Sequence, residues 1–163
     1  NISKNKKAIK HQNQYPTLFI TLKDMKNSSY EKQMNRFKEI ICLCAKNFLE
    51  LLDSDELLDS EKKLFQKYVD NETEDNELER EIFNISYFLY KHYHQKVIIL
   101  IDEYDVPLQA AYQYNYYDEM VEFLRSVFSS ALKTNDALEK GIMAGCLRIS
   151  KESIFTGLNN FKA

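Results

Sequence analysis

The stretch Val97-Ile98-Ile99-Leu100-Ile101-Asp102-Glu103 decides the fold class of this 163-residue chain. Its five consecutive apolar residues, most of them β-branched, predict a strand that is buried on both faces, as strands of parallel sheets usually are. Segments 17–22 and 140–147 predict two further strands, and helical patterns lie between all three. Because strands joined through helices pair in parallel, we predict an α/β fold with a parallel three-stranded sheet and flanking helices.

The helical segments are visible as apolar residues that recur three and four positions apart. The longest series, on the first predicted helix, is Met34, Phe37, Ile41, Cys44, Phe48 and Leu52. Ser28 and Glu31 form a capping-box pattern at its start, and Ser60 is a candidate cap for a second, short helix. We expect the tyrosine-rich stretch 112–117 to pack a loop on the sheet, with stacking on nucleic-acid bases as the alternative. The last long helix is expected to begin near Asn115.

Composition and charge limit the classes of protein to which the chain can belong. Apolar residues make up 44% of it and charged residues 29%, which indicates a globular protein. A net charge of -3 disfavours direct binding of nucleic acid. No apolar run reaches the roughly 18 residues of a transmembrane helix, and the three cysteines form no disulfide framework, so we expect a cytoplasmic protein with reduced thiols. We expect residues 1–14 to be a loose basic lead-in and residues 15–163 to form a single α/β domain.

Two acidic residues, Asp102 and Glu103, directly follow the apolar strand. They therefore belong to its carboxyl end, where open α/β sheets place their ligands. Five apolar residues followed by Asp-Glu resemble a Walker B motif, in which Asp102 would hold Mg²⁺ through water and Glu103 would polarise the attacking water. The structural alternative is that the pair caps a neighbouring helix or faces solvent.

A basic and polar cluster, Arg148, Ser150 and Lys151, follows the third predicted strand. In a parallel sheet this cluster belongs to the same edge as the acid pair, where it could bind a phosphate with the help of backbone N–H groups after Ser150. The alternative is that Arg148 pairs with an acid of the 102–105 stretch and only neutralises it. A metal-dependent nuclease site would require a lysine two residues after the second acid, and Asp105 stands there instead.

Several segments resemble the bacterial and archaeal AAA-ATPase-like family. They are Tyr15–Asp24, Lys96–Leu108, Phe123–Arg125, Ser129–Lys133 and Gly145–Phe161, of which the last is the most specific. The resemblance implies a P-loop NTPase core of the additional-strand class, often followed by a PD-(D/E)XK nuclease-like domain. It implies that Asp102 is the Mg²⁺ ligand and that Glu103 activates water. It also implies that Arg148 and Ser150 lie near a sensor position after the fourth core strand.

The candidate site residues then have distinct expected roles. Glu103 and Arg148 are the candidate catalytic residues, Ser150 and Lys151 the candidate nucleotide-binding residues, and Asp102 the candidate metal ligand. If the chain is part of a longer parent protein, we expect that protein to bind and hydrolyse ATP with Mg²⁺. The alternative is a non-catalytic protein-interaction module on a P-loop-like fold.

The chain departs from the family pattern because it has no Walker A loop of the form G-x-x-x-x-G-K-[ST]. Its three glycines, Gly141, Gly145 and Gly157, all follow the acid pair. We therefore expect a middle fragment that carries the second, third and fourth core strands, an incomplete P-loop NTPase core that is inactive and binds neither ATP nor Mg²⁺ appreciably by itself. The resemblance places the first strand beside the fourth, so the Gly141–Leu147 strand would be a bare edge through which the chain self-associates.

Overall fold

The structure, a computed structural model, describes Asn5 and residues 9–146. Three parallel strands form one sheet in the order β1 (Thr17–Thr21), β2 (Val97–Asp102) and β3 (Leu138–Met143). Both pairings are parallel, and a register shift between Val97 and Ile98 marks an irregularity opposite β3. The predicted α/β class with a three-stranded parallel sheet is confirmed.

Within residues 9–146, five α-helices and two 3-10 segments connect the strands. The helices are α1 (Tyr30–Ala45), α2 (Asp59–Asp70), α3 (Glu81–Tyr93), α4 (Val106–Gln113) and α5 (Tyr117–Leu132), and the 3-10 segments are Lys46–Asp53 and Asp75–Arg80. None of these helices combines the length and the apolar composition that a membrane crossing requires.

The N-cap residues of the first two helices differ from the predicted ones. Ser29, not Ser28, caps α1, because its extended backbone lets Oγ accept the Lys32 N–H at 3.4 Å. At the start of α2 the cap is Leu58, not Ser60, and the Glu61 carboxylate accepts the Leu58 N–H at 2.8 Å. Both helices occur where the sequence predicts them, while their capping residues move by one and two positions.

Helix α4 was not predicted, because the tyrosines at 112–117 indicated a loop. The stretch Val106–Gln113 is helical, and Pro107 stands in its first turn, where a missing N–H removes no hydrogen bond. Only the residues between α4 and α5 remain a loop. Tyr116, which ends this loop, is buried and donates its hydroxyl hydrogen to the Asn27 carbonyl.

The sheet buries one face against the helices. Leu18, Ile20, Val97, Ile99 and Ile101 are each at most 2% exposed and belong to the core. The opposite face carries a row of apolar side chains in direct register, Phe19, Leu100 and Ile142, of which Phe19 is 54% and Ile142 45% exposed.

The prediction that β2 is buried on both faces is therefore wrong for the described part of the chain. The described helices cover one face, so alternate residues of β2 are only half-buried. The third strand, Leu138–Met143, begins two residues before the predicted segment 140–147, and each of its residues is exposed or half-buried. Among the described strands it pairs only with β2, so it lies at an edge of the sheet.

The cysteines of α1, Cys42 and Cys44, are buried in the core. Cys42 Sγ donates to the Val69 carbonyl at 3.2 Å, and Cys44 Sγ donates to the Phe19 carbonyl at 3.5 Å. Burial raises the pKa of the Cys44 thiol to about 12, so this thiol stays protonated. The two side chains diverge to opposite neighbours, one on α2 and the other on β1.

Candidate functional site

The acid pair lies where β2 ends. Asp102 is the last residue of the strand, is half-buried, and its Oδ1 accepts the Glu103 backbone N–H at 3.0 Å. The Asp102 carbonyl accepts the Leu22 N–H at 3.0 Å, which ties the loop after β1 to the same point. The predicted position of the pair at the carboxyl end of the central strand is therefore correct.

Glu103 has an unusual backbone. Its φ of 53° lies in the left-handed region, which few residues other than glycine adopt. This conformation turns the chain sharply out of the sheet, and the Glu103 carbonyl then accepts the Val106 N–H at 3.1 Å as α4 begins. A strained, non-glycine residue beside a cleft is typical of functional sites.

Asp105 is a buried carboxylate that connects two segments. It is 1% exposed. Its Oδ1 accepts the Cys146 N–H at 3.3 Å, and its Oδ2 accepts a hydrogen from Gln109 Nε2 at 2.8 Å. These contacts join the turn after β2 to the residues after β3 and to α4. No sequence signal distinguished Asp105 from an ordinary third acid of the motif.

The segment after β3 runs closely beside the turn after β2. Ala144 N–H donates to the Ile101 carbonyl at 2.9 Å, and Tyr104 N–H donates to the Ala144 carbonyl at 3.3 Å. A Cβ at Gly145 would lie 2.6 Å from Asp105 Oδ1 and 2.8 Å from Tyr104 Cε1. The two backbone segments therefore approach closely at Gly145. Burial and the Asp105 carboxylate raise the pKa of Tyr104.

An open cleft of about 470 Å³ lies at this edge of the sheet. It is lined by Lys26, Glu103, Asp105, Val106, Gln109, Ala110, Gln113, Tyr114 and Cys146. These residues come from the loops that follow all three strands and from α4. The lining combines two carboxylates, one ammonium group and several amides, so it is suited to a polar, charged ligand.

The loop that carries Lys26 is hydrogen-bonded to the side chain of Gln33 on α1. Gln33 is fully buried, donates Nε2–H to the Met25 carbonyl at 2.8 Å, and accepts the Asn27 backbone N–H at 3.1 Å through Oε1. The same Oε1 accepts the Asn27 side-chain amide at 3.0 Å. Sequence reasoning missed both Lys26 and Gln33, and only the polar residue at an otherwise apolar helix position hinted at Gln33.

The predicted site residues fall into two groups. Asp102 and Glu103 are neighbours at the edge where the cleft opens, and Glu103 lines the cleft. Arg148, Ser150 and Lys151 lie outside the described residues, so their predicted proximity to the acid pair remains a prediction.

The metal prediction concerns Asp102. Across residues 9–146, no three His, Cys, Asp or Glu side chains converge to enclose a metal ion. Asp102 fits Mg²⁺ in a different way, because Mg²⁺ commonly takes one or two carboxylates and completes its coordination with water and substrate phosphates. A half-buried carboxylate at a strand end is therefore a suitable partner for a nucleotide-bound Mg²⁺.

Comparison with known proteins supplies the family. A family model described as Predicted AAA-ATPase matches residues 1–155 of the chain. No curated protein and no solved structure shows a significant match. The match includes every strand and helix described above and both groups of predicted site residues. With its parallel α/β sheet and its acid pair at the end of the central strand, the chain belongs to the AAA-ATPase-like family.

Proposed function

We propose that this chain is the Walker B and sensor portion of a P-loop ATPase whose parent protein binds and hydrolyses ATP with Mg²⁺. The observation that carries the proposal is the position of Asp102 and Glu103 at the carboxyl end of the central parallel strand, beside an open polar cleft. The match to the family model described as Predicted AAA-ATPase supports the same class of reaction.

Glu103 is the proposed catalytic base. Its carboxylate lines the cleft, where it would accept a hydrogen bond from the attacking water and take up its proton. Side chains of a strand alternate between its two faces, and the left-handed backbone at Glu103 ends this alternation. Asp102 and Glu103 can therefore take different roles. The two carboxylates therefore need not bind the same ligand atom.

Asp102 would hold Mg²⁺ through water, and the bound metal would neutralise charge on the nucleotide phosphates. Arg148 would stabilise the charge that develops on the transferred phosphate, and Ser150 and Lys151 would contact the phosphates. These three residues are carried by the chain that continues from Cys146, which borders the cleft.

The test is Mg²⁺-dependent ATP hydrolysis by the full-length parent beside its Glu103→Gln variant. Removal of a general base is expected to lower kcat by roughly 10²–10⁴-fold. Glu72→Gln, an exposed acid outside the cleft, is the matched control and should retain parental turnover. Equal turnover in the parent and in Glu103→Gln would contradict the assigned role of Glu103.

A second candidate function is a non-catalytic protein-interaction module. Two observations favour it: the sequence contains no Walker A loop, and the sheet exposes the apolar row Phe19, Leu100 and Ile142. The same experiment distinguishes the two functions. A folded parent without ATP turnover, unchanged by Glu103→Gln, would favour the interaction module.

A further inference from the structure

Asp105 has no part in the roles assigned to the acid pair, yet it is among the most deeply buried polar residues of the described chain, at 1% exposure. A buried carboxylate is costly unless hydrogen bonds compensate for lost hydration. Asp105 is compensated from two sides, by the Cys146 N–H on Oδ1 and by Gln109 on Oδ2. Hydrogen bonds to an ionised acceptor are roughly twice as strong as neutral ones.

We propose that Asp105 is a positioning residue that holds Cys146, and with it the start of the segment that carries Arg148, against the Glu103 turn. The inference rests on the proposed ATPase function. Arg148 follows Cys146 by only two residues, and each residue spans at most about 3.6 Å. The point at which Cys146 is held therefore limits where Arg148 can act relative to Glu103.

Gly145 sets how tightly the two segments approach. The hypothetical Cβ at this position would overlap both the Asp105 carboxylate and the Tyr104 ring, at 2.6 and 2.8 Å. Any residue larger than glycine must therefore displace the Asp105 carboxylate and the Tyr104 ring or move the 144–146 segment away from the turn. Glycine in this place lets the Cys146 N–H come within hydrogen-bond distance of Asp105.

The backbone contacts do not replace this carboxylate. Among the described residues, Ala144 makes the last ladder hydrogen bonds, since it donates to Ile101 and accepts from Tyr104. Two residues later the Cys146 N–H donates to the Asp105 carboxylate. Because Asp105 precedes α4 by one residue and follows Glu103 by two, it transmits the position of Cys146 directly to the turn that presents Glu103.

The experiment compares Asp105→Ala and Asp105→Asn in the full-length parent. Asp105→Ala should lower kcat for ATP about 10–100-fold, because the segment that carries Arg148 is no longer aligned with Glu103. Asp105→Asn should recover most of the kcat. Its amide oxygen still accepts the Cys146 N–H, and Gln109 can rotate its amide to match.

Hydrogen exchange supplies a readout that does not depend on turnover. In Asp105→Ala the peptide containing Cys146 should lose amide protection, and in Asp105→Asn it should keep it. Ser86→Ala is the matched control, because Ser86 is also fully buried and hydrogen-bonded, to Asn135 and the Phe83 carbonyl, but lies outside the cleft lining. It should lower stability and leave kcat unchanged.

The outcomes separate this inference from the proposed function. If the parent hydrolyses ATP and Asp105→Ala loses protection at Cys146 without loss of kcat, the positioning role is wrong and the ATPase stands. If the parent itself shows no turnover, the ATPase function and the positioning role fail together. Should Asp105→Ala not fold, Gly145→Ala provides the test. Its Cβ would overlap the Asp105 carboxylate and so disturb the Asp105–Cys146 contact without changing charge. Parental kcat in that variant would overturn the inference.

Discussion

Glu81, in the first turn of α3, is a buried acid that no candidate site uses. It is 1% exposed, and its Oε2 has no hydrogen-bond partner among the described residues. Burial raises the pKa of Glu81 to about 7, although a hydrogen bond with Thr73 and the nearby Lys38 ammonium act in the opposite direction. The charged form of this residue therefore destabilises the fold.

The stability of the protein should fall with rising pH because of Glu81. Its folded-state pKa of about 7 lies above the ordinary value of 4.5, so the folded state binds more protons between these limits. The stabilising contribution is complete below pH 4.5 and is lost as the pH rises through about 7. At 1.36 kcal/mol for each pKa unit, the loss is on the order of 3 kcal/mol.

Urea unfolding of the Glu81→Gln variant at pH 5 and pH 8 measures this loss. The free energy of unfolding of the variant should exceed that of the unsubstituted 163-residue chain by about 1–3 kcal/mol at pH 8, with a smaller difference at pH 5. Glu72→Gln, whose carboxylate is exposed, should follow the parent chain at both values. An identical pH dependence in the parent chain and in Glu81→Gln would contradict the assignment.

At the scale of elements, the loop after β1 depends on a single side chain of α1. Gln33 satisfies the Met25 carbonyl and two N–H groups of Asn27 from a fully buried position. Tyr116, at the start of α5, adds its hydroxyl to the Asn27 carbonyl. The loop that brings Lys26 to the cleft is thereby fixed between two helices.

Gln33→Leu should destabilise the protein by about 2–4 kcal/mol. The substitution leaves buried backbone and side-chain groups without partners, each at a cost of roughly 1–3 kcal/mol, offset in part by the added apolar surface. Gln66→Leu is the control, because Gln66 is exposed on α2 and, among the described residues, its side chain donates to Asp70 of its own helix. Its unfolding free energy should change by less than about 0.5 kcal/mol. Similar values for the two variants would show that Gln33 is not the support of this loop.

At the level of the molecule, the sheet face that none of the described helices covers adjoins the β3 edge. Phe19, Leu100 and Ile142 form its apolar row, and β3 pairs only with β2 among the described strands. Unpaired edge backbone beside exposed apolar side chains favours pairing with another chain. We expect a second copy of this chain to pair along β3.

Light scattering at increasing protein concentration measures that association. The chain should approach the mass of a dimer, and Ile142→Lys should return it to a monomer, because a charge on an edge strand opposes pairing. Leu49→Lys is the control, since Leu49 is similarly exposed, at 48%, but lies on a 3-10 segment. A strictly monomeric mass at high concentration would count against the prediction.

The binding of nucleotide is also decided at this scale. We expect the chain alone to bind Mg-ATP weakly or not at all, because the loop amides and lysine of a Walker A motif, which supply most of the phosphate contacts, are missing from the sequence. Titration calorimetry measures the affinity. Clear micromolar binding would contradict the expectation and would indicate that the cleft beside Glu103 binds the nucleotide without that loop.

Features that depend on neighbours along the chain could be predicted from the sequence. The apolar run 97–101 predicts the central strand, the series from Met34 predicts α1, and the acids at 102 and 103 belong to the carboxyl end of β2 wherever that strand lies. Periodicity and strand-end position are local properties, so the α/β class and the acid pair could be predicted.

Contacts between groups from distant segments could not be predicted, because they depend on how the chain packs in three dimensions. Asp105 and Cys146 are 41 positions apart in the sequence, and Gln33 of α1 supports the loop that follows β1. No local sequence pattern indicates either contact. The same holds for the open face of β2, because the apolarity of Ile98 and Leu100 does not specify whether a helix covers them. Burial and hydrogen bonding between remote segments follow from the packing of the whole chain, since each contact forms only when all the intervening elements have taken their places.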